Sequence, residues 1–150
     1  MINNDNLAKK FQELLDYDNL ETRQKLKKIF EEKLFIPTYS NTLSEQRKIA
    51  LQRLIRISKA GLISVFDFSE NPKRIFSIHE IVGQIDGSTA TKMTVQFNLF
   101  GGTLFNLGTN KSHSKILNEI NSLDSIGCFG LTELGYGNNA AEMQTTATYN

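Results

Sequence analysis

Apolar residues recur at helical intervals through most of the chain. Leu7, Phe11, Leu14 and Leu15 fall at i, i+4, i+7 and i+8, one face of a helix that Asn6 is placed to cap. Asp18-Asn19 interrupts it. A second helix follows, with Leu26, Ile29 and Phe30 inward and Lys25, Lys27 and Lys28 on a solvated face; Pro37 stops the pattern. Thr42 and Glu45 have the spacing of a capping box, each side chain reaching the other residue's backbone N–H. Behind them run Ile49, Ala50, Leu54 and Ile57, a stripe widened by Leu51 and Ile55. Gly61 stands at a left-handed C-cap position with Leu62 as its apolar partner. Phe66-Asp67-Phe68 reads as an extended or irregular link. Asn71-Pro72 starts the next helix, with proline at its first position, and Ile75, Ile78, Ile81 and Val82 form its inner face until Gly83 and Asp86-Gly87 break it.

From Ser88, the expected cap, to Phe100 two patterns compete. Met93, Phe97 and Phe100 have helical spacing, whereas Thr89, Thr91, Thr94 and Val95 are β-branched and suit a strand. The spacing favours helix. Gly101-Gly102 marks a break or a close contact. Ser112 opens a last helix with Ile116, Leu117, Ile120 and Leu123 inward, ended by Gly127. The character then changes. Cys128–Thr132 reads as a short strand, Gly135–Asn139 as a loop and Gln144–Tyr149 as a second, threonine-rich strand. The expected fold class is therefore mainly α: a helical domain over residues 1–127, then the first strands of a β-domain over 128–150. A final strand without later partners leaves amides and carbonyls unpaired, so that second domain is expected to be incomplete.

Composition narrows the function classes. Seventeen basic residues against sixteen acidic ones give a net charge of +1, which supplies no general attraction to nucleic acid or anionic lipid. Cys128 is the one cysteine, so neither an internal disulfide nor a cysteine-based metal site is expected. His79 and His113 lack H-E-x-x-H spacing, which argues against zinc. No apolar run approaches the ~20 residues of a membrane span. The N-terminus has no secretory pattern and the last residues no Ser-Lys-Leu address. Gly135-x-Gly137 lacks the third glycine and following helix of a dinucleotide fingerprint.

The run Gly127-Cys128-Phe129-Gly130-Leu131-Thr132-Glu133-Leu134-Gly135-Tyr136-Gly137-Asn138-Asn139 resembles the G-C-F-A-x-T-E-L-G-H-G-S-N stretch of peroxisomal acyl-CoA oxidases. Thr145–Asn150 resembles the T-T-A-T-Y-D that follows it in that family. Upstream, Lys92-Met93, Val95-Gln96-Phe97 and Gly101-Gly102 resemble its K-M-x-V-Q-F-x-L-x-G-G segment, and Leu107-Gly108-Thr109 with His113 its L-G-T-x-x-H-H. The likeness is good over residues 75–150; the first 60 residues agree mainly in being helical. Related acyl-CoA dehydrogenases usually read T-E-P-G-A-G-S here, and Leu134 in place of proline favours the oxidases.

The resemblance implies an FAD enzyme that desaturates a fatty acyl-CoA to the trans-2-enoyl-CoA and passes the electrons to molecular oxygen, giving hydrogen peroxide. Flavin supplies the redox chemistry; the protein supplies position and electrostatics. By the same resemblance Thr132 faces the flavin through hydroxyl and amide, Leu131 and Glu133 adjoin it through main-chain atoms, and Gly137 and Asn138 lie near the acyl thioester, with Gly135 and Gly137 expected to let the chain turn tightly. Without the motif, a strand threonine is ordinarily there for its β propensity. The catalytic base comes from a much later helix, so no catalytic residue is expected here and Glu133 is structural. The implied setting is the peroxisome, and the implied full-length assembly a homodimer. Two positions depart from the pattern: Tyr136 replaces a frequent histidine and Asn138 the usual serine. Two other readings stay open: a truncated, non-catalytic paralogue acting as an interaction module, and an acyl-CoA dehydrogenase.

Overall fold

The computed structural model describes residues 4–39 and 42–149, without the side chains of residues 4 and 110–112. Helices dominate: α1 (Asn4–Leu15), α2 (Leu20–Ile29), α3 (Leu43–Lys59), the single turn α4 (Asp67–Glu70), α5 (Pro72–Ile85), α6 (Gly87–Met93), a π-helix (Thr94–Gly101), α7 (Gly102–Leu107) and α8 (Asn110–Ser122). Short 3₁₀ turns occupy Lys33–Phe35 and Ala140–Glu142.

The helix starts obey the local signals. Thr42 Oγ1 accepts from Glu45 N, and Glu45 Oε2 accepts in return from Thr42 N at 2.7 Å. Asn71 Oδ1 accepts from Arg74 N, with Pro72 at the first helical position. Gly61 has φ +66, the left-handed cap expected of it. Between α5 and α6 the cap is Asp86, which accepts from Ser88 N; Ser88 itself lies inside α6. Gly83 does not break α5, because the helix runs through it to Ile85. The Phe66–Phe68 link contains the turn α4 rather than extended chain.

Residues 87–107 form one continuous helical run, settling the contest at residues 88–100 in favour of helix. Thr91 and Thr94 turn their hydroxyls back to the carbonyls of Gly87 and Ala90, the local bond that lets these residues sit in a helix. Gly101-Gly102 is close packing, not a break. A Cβ on Gly101 would stand 2.5 Å from Val65 Cγ1, and one on Gly102 2.9 Å from the Phe68 ring.

The core is a contiguous cluster of Leu26, Ile29, Leu54, Ile57, Ile78, Ile81, Val82, Met93, Phe97 and Ile120, with Phe35, Leu62 and Val65 from the connections. Phe100 packs against it, while Phe105 stacks on Phe68. α1 behaves differently. Leu7, Phe11 and Leu14 share a face as their spacing predicts, but all are more than half exposed. Asn6 lies within α1, which has already begun at Asn4.

The last helix begins at Asn110, before Ser112, whose side chain lies outside the described residues. It ends at Ser122, with Leu123 left-handed at φ 63; Gly127 is not its cap. Beyond it, neither of the two expected strands forms, and no strand occurs among the described residues. The physical reason is local. Residues 128–132 and 144–149 do not pair backbone to backbone; side chains join the segment instead, Glu133 to Gln144 and Thr145, and Gln144 to Tyr136.

Charged residues tie the helices together. Arg23 is 2% exposed and donates to the Asp18 carbonyl and carboxylate and to Glu80 on α5, with bonds of 2.9 Å to each carboxylate. Asn19 and Ser77 extend this network between α2 and α5. Removing one member of a shielded charge group leaves the others uncompensated. Arg23→Leu is expected to cost about 3 kcal/mol, seen as a lower urea midpoint at unchanged slope.

Candidate functional site

The residues singled out in the sequence lie beyond α8, in a segment organised by a carboxylate. Glu133 Oε2 accepts from the Gln144 backbone N–H at 2.8 Å, and Oε1 from the Thr145 N–H at 2.6 Å and from the Thr145 hydroxyl. These bonds close the chain between residues 133 and 145. A second rung lies alongside: Gln144 Nε2 donates to the Tyr136 hydroxyl at 2.6 Å. Within the loop, Tyr136 N donates to the Glu133 carbonyl and Asn139 N to the Tyr136 carbonyl, two successive turns. Asn139 Nδ2 then reaches Glu142 Oε2 across the 3₁₀ turn.

Backbone conformation explains two residue choices. Gly135 has φ +88, where a side chain is strained. The next left-handed position is Asn138, at φ 59, and not Gly137 as its identity suggests. Asparagine enters this region more readily than most residues, serine included. The departure from the family's serine therefore has a backbone rationale in this chain.

The loop wraps a concavity of about 240 Å³ lined by Leu131, Thr132, Glu133, Tyr136, Asn138, Asn139, Ala140 and Met143. It brings together Thr132, Leu131, Glu133 and Asn138. Gly137 lies on the same loop outside the lining, where a Cβ would meet nothing within 4 Å. Thr132 is exposed at the wall rather than turned into the helical core. Leu131 and Met143 make an apolar side; the Thr132 and Tyr136 hydroxyls and the Asn138 amide offer hydrogen bonds. No cationic side chain lines it. Sequence reasoning missed the wall made by Tyr136 and Met143, since their approach depends on Glu133 folding the loop back; the usable signal was the glutamate itself, twelve residues before a Thr-Thr pair.

The histidines are engaged elsewhere. His79 Nδ1 donates to the Ile75 carbonyl at 2.8 Å, which leaves Nε2 to accept from Asn98 Nδ2 at 3.1 Å. Burial holds its pKa below the ordinary value. His113 Nδ1 accepts from Thr109 N. Cys128 is exposed and lies outside the concavity.

Fold and loop together define a helical module that presents a preformed, partly polar concavity. Sequence comparison places that module. Acyl-coenzyme A oxidase 2, peroxisomal, of Arabidopsis thaliana is 39% identical over 106 residues, which are 70% of this chain and 15% of that protein. Putative acyl-coenzyme A oxidase 3.2, peroxisomal, of the same plant is 31% identical over 157 residues, 95% of this chain and 23% of the relative. Peroxisomal acyl-coenzyme A oxidase 3 of Homo sapiens is 30% identical over 108 residues, 72% of this chain and 15% of the relative. No family model matches, and no solved structure does. The chain belongs to the acyl-CoA oxidase family, and it spans about a seventh to a quarter of the length of these relatives.

The Gln144 amide, then the Thr145 hydroxyl and amide, hold the Glu133 carboxyl below its ordinary pKa. A depressed folded value means the clasp is complete above the ordinary glutamate range and is lost as pH falls through the depressed value. Amide protection at Gln144 and Thr145 is expected at about pH 6 and to be lost as pH falls below the ordinary glutamate range through the depressed value. Glu133→Ala is expected to remove it at about pH 6 as well, without lowering the helical melting temperature. Hydrogen exchange by NMR checks both.

Proposed function

We propose that this chain contributes one wall of the flavin and acyl-CoA site of a peroxisomal acyl-CoA oxidase. Residues 1–127 act as its helical domain and 128–150 as the start of the next domain. Kinship with oxidases that are named peroxisomal supports the family and the location. The observation that carries the finer reading is Thr132, exposed on a loop that holds its shape through Glu133, beside Leu131 and Asn138.

The residues present suit one edge of FAD. An apolar side made by Leu131 and Met143 can lie against a flat ring, and Thr132 can donate to an edge that gains negative charge on reduction. The diphosphate has no cation in this lining and would be held by other parts of the polypeptide. FAD, when bound, supplies the redox chemistry of α,β-desaturation with oxygen reduced to peroxide. The chain's own residues bind and orient. Thr132 offers its hydroxyl and amide to the ring, Leu131 and Glu133 offer main-chain groups, and Asn138 with Gly137 faces the thioester. Glu133 keeps its carboxylate on Gln144 and Thr145, which removes it from consideration as the proton-abstracting base. That base is assigned to sequence beyond these 150 residues, and homodimer formation to the full-length protein.

One concavity of this size contacts too little of FAD to offset the cost of immobilising it. The 150-residue chain is therefore expected to emerge colourless from gel filtration with FAD, and alone to produce no peroxide from fatty acyl-CoA. At high FAD concentration its NMR shift changes are expected on residues 131–138. Changes confined to the helices would overturn the reading. In a polypeptide carrying this segment at the full length of its relatives, Thr132→Ala is expected to lower kcat for acyl-CoA-dependent peroxide release by about a hundredfold.

A further inference from the structure

Two stretches that resemble family motifs, 91–103 and 127–139, meet in the fold at one side chain. Gln96 sits in the π-helix and is 3% exposed. Its Nε2 donates to the Ser125 carbonyl at 2.7 Å and to the Ile120 carbonyl at 3.4 Å, while its Oε1 accepts from the Gly127 N–H at 3.1 Å. The amide thus spends both kinds of hydrogen-bonding group on the stretch by which the chain leaves α8. Widened π-turns cluster at functional positions because they displace side chains from the regular helical register.

Two further contacts act on the same stretch. Phe100 covers Gly127 so closely that a Cβ there would stand 2.0 Å from Cδ1 and 2.1 Å from Cγ of the ring. Ser125 is held from the other side, its N–H on the Glu119 carbonyl and its hydroxyl on Glu119 Oε2 at 2.6 Å. Beyond Gly127, no hydrogen bond joins residues 128–149 to the helices among the described residues. The Gln96–Gly127 bond is the last polar tie before the concavity.

We propose that Gln96 is a positioning residue for the loop pocket: it fixes the point and direction in which the chain leaves the helical body, and Phe100 on Gly127 locks that exit. Its meaning for a flavin rests on the functional reading above; the coupling itself does not. A residue that only satisfied the carbonyls at the end of α8 would stabilise the helices and leave the pocket segment indifferent to its loss.

The test is a set of 15N–1H spectra and amide exchange rates of the whole chain without flavin. Gln96→Leu keeps a buried side chain of similar size and removes all three bonds. It is expected to speed exchange at Gly127 at least about tenfold and to shift the amides of residues 128–134. Gly127→Ala is expected to shift the same amides by colliding with Phe100, and adding Phe100→Ala is expected to return them toward their original positions. Should Gln96→Leu fail to fold, the Gly127 and Phe100 pair decides alone. Unmoved 128–134 amides in folded Gln96→Leu, or no rescue by Phe100→Ala, overturn the proposal. Absence of flavin-induced shifts with this coupling intact would instead remove the functional reading and leave the role of Gln96 standing.

Discussion

A helix pairs its own backbone, but the links between helices must find partners elsewhere, and a buried link without them is prohibitively costly. In this protein buried polar side chains supply those partners. Arg53, 7% exposed on α3, donates to the carbonyls of Leu34 and Ile36 and to the Asp86 carboxylate that caps α6. Asn121 on α8 accepts from Val65 N and donates to Ser64 Oγ, while its own carbonyl accepts from Ser58 on α3. Gln96 does the same for the exit toward the loop pocket. Each of these side chains joins a helix to a connection distant in sequence, so the helices and their links hold their arrangement together.

Where the helices stop, the same principle continues with a carboxylate as the hub. Glu133 satisfies two backbone amides and a hydroxyl that a neighbouring strand would otherwise take. A carboxylate suits this task because it is an acceptor only and bonds to its charged form are strong. The concavity is consequently local: its lining falls within residues 131–143, and its shape depends on a bond to residues 144 and 145. That explains how a contiguous motif marks it so clearly, and how Tyr136 and Asn138 can differ from the family pattern without dissolving it. Tyr136 gains a bond to Gln144, and Asn138 takes the left-handed backbone.

The uncovered stripe on α1 and the unpaired segment after residue 127 show a shared feature of the structure. Apolar periodicity and extended character are properties of a segment; a covered face and a paired strand are properties of two segments. Leu7, Phe11 and Leu14 line up as their spacing requires yet remain exposed. Gln144 and Thr145, in a segment whose pattern suits a strand, hydrogen-bond to the Glu133 side chain and not to another strand.

The order of residues alone determined the helices, the Thr42–Glu45 box, the Asn71-Pro72 start, the inward faces of α3 and α5, and the Thr132 motif, because each depends on neighbours within a turn or a short loop. Tertiary structure decided the rest. It placed Arg23, Arg53 and Gln96, polar by composition, inside the molecule, since each has a partner 19 to 57 residues away on another element. It also decided that Gly101, Gly102 and Gly127 are contact points, because what a glycine is for depends on which side chain arrives against it, and that is known only once the helices have packed.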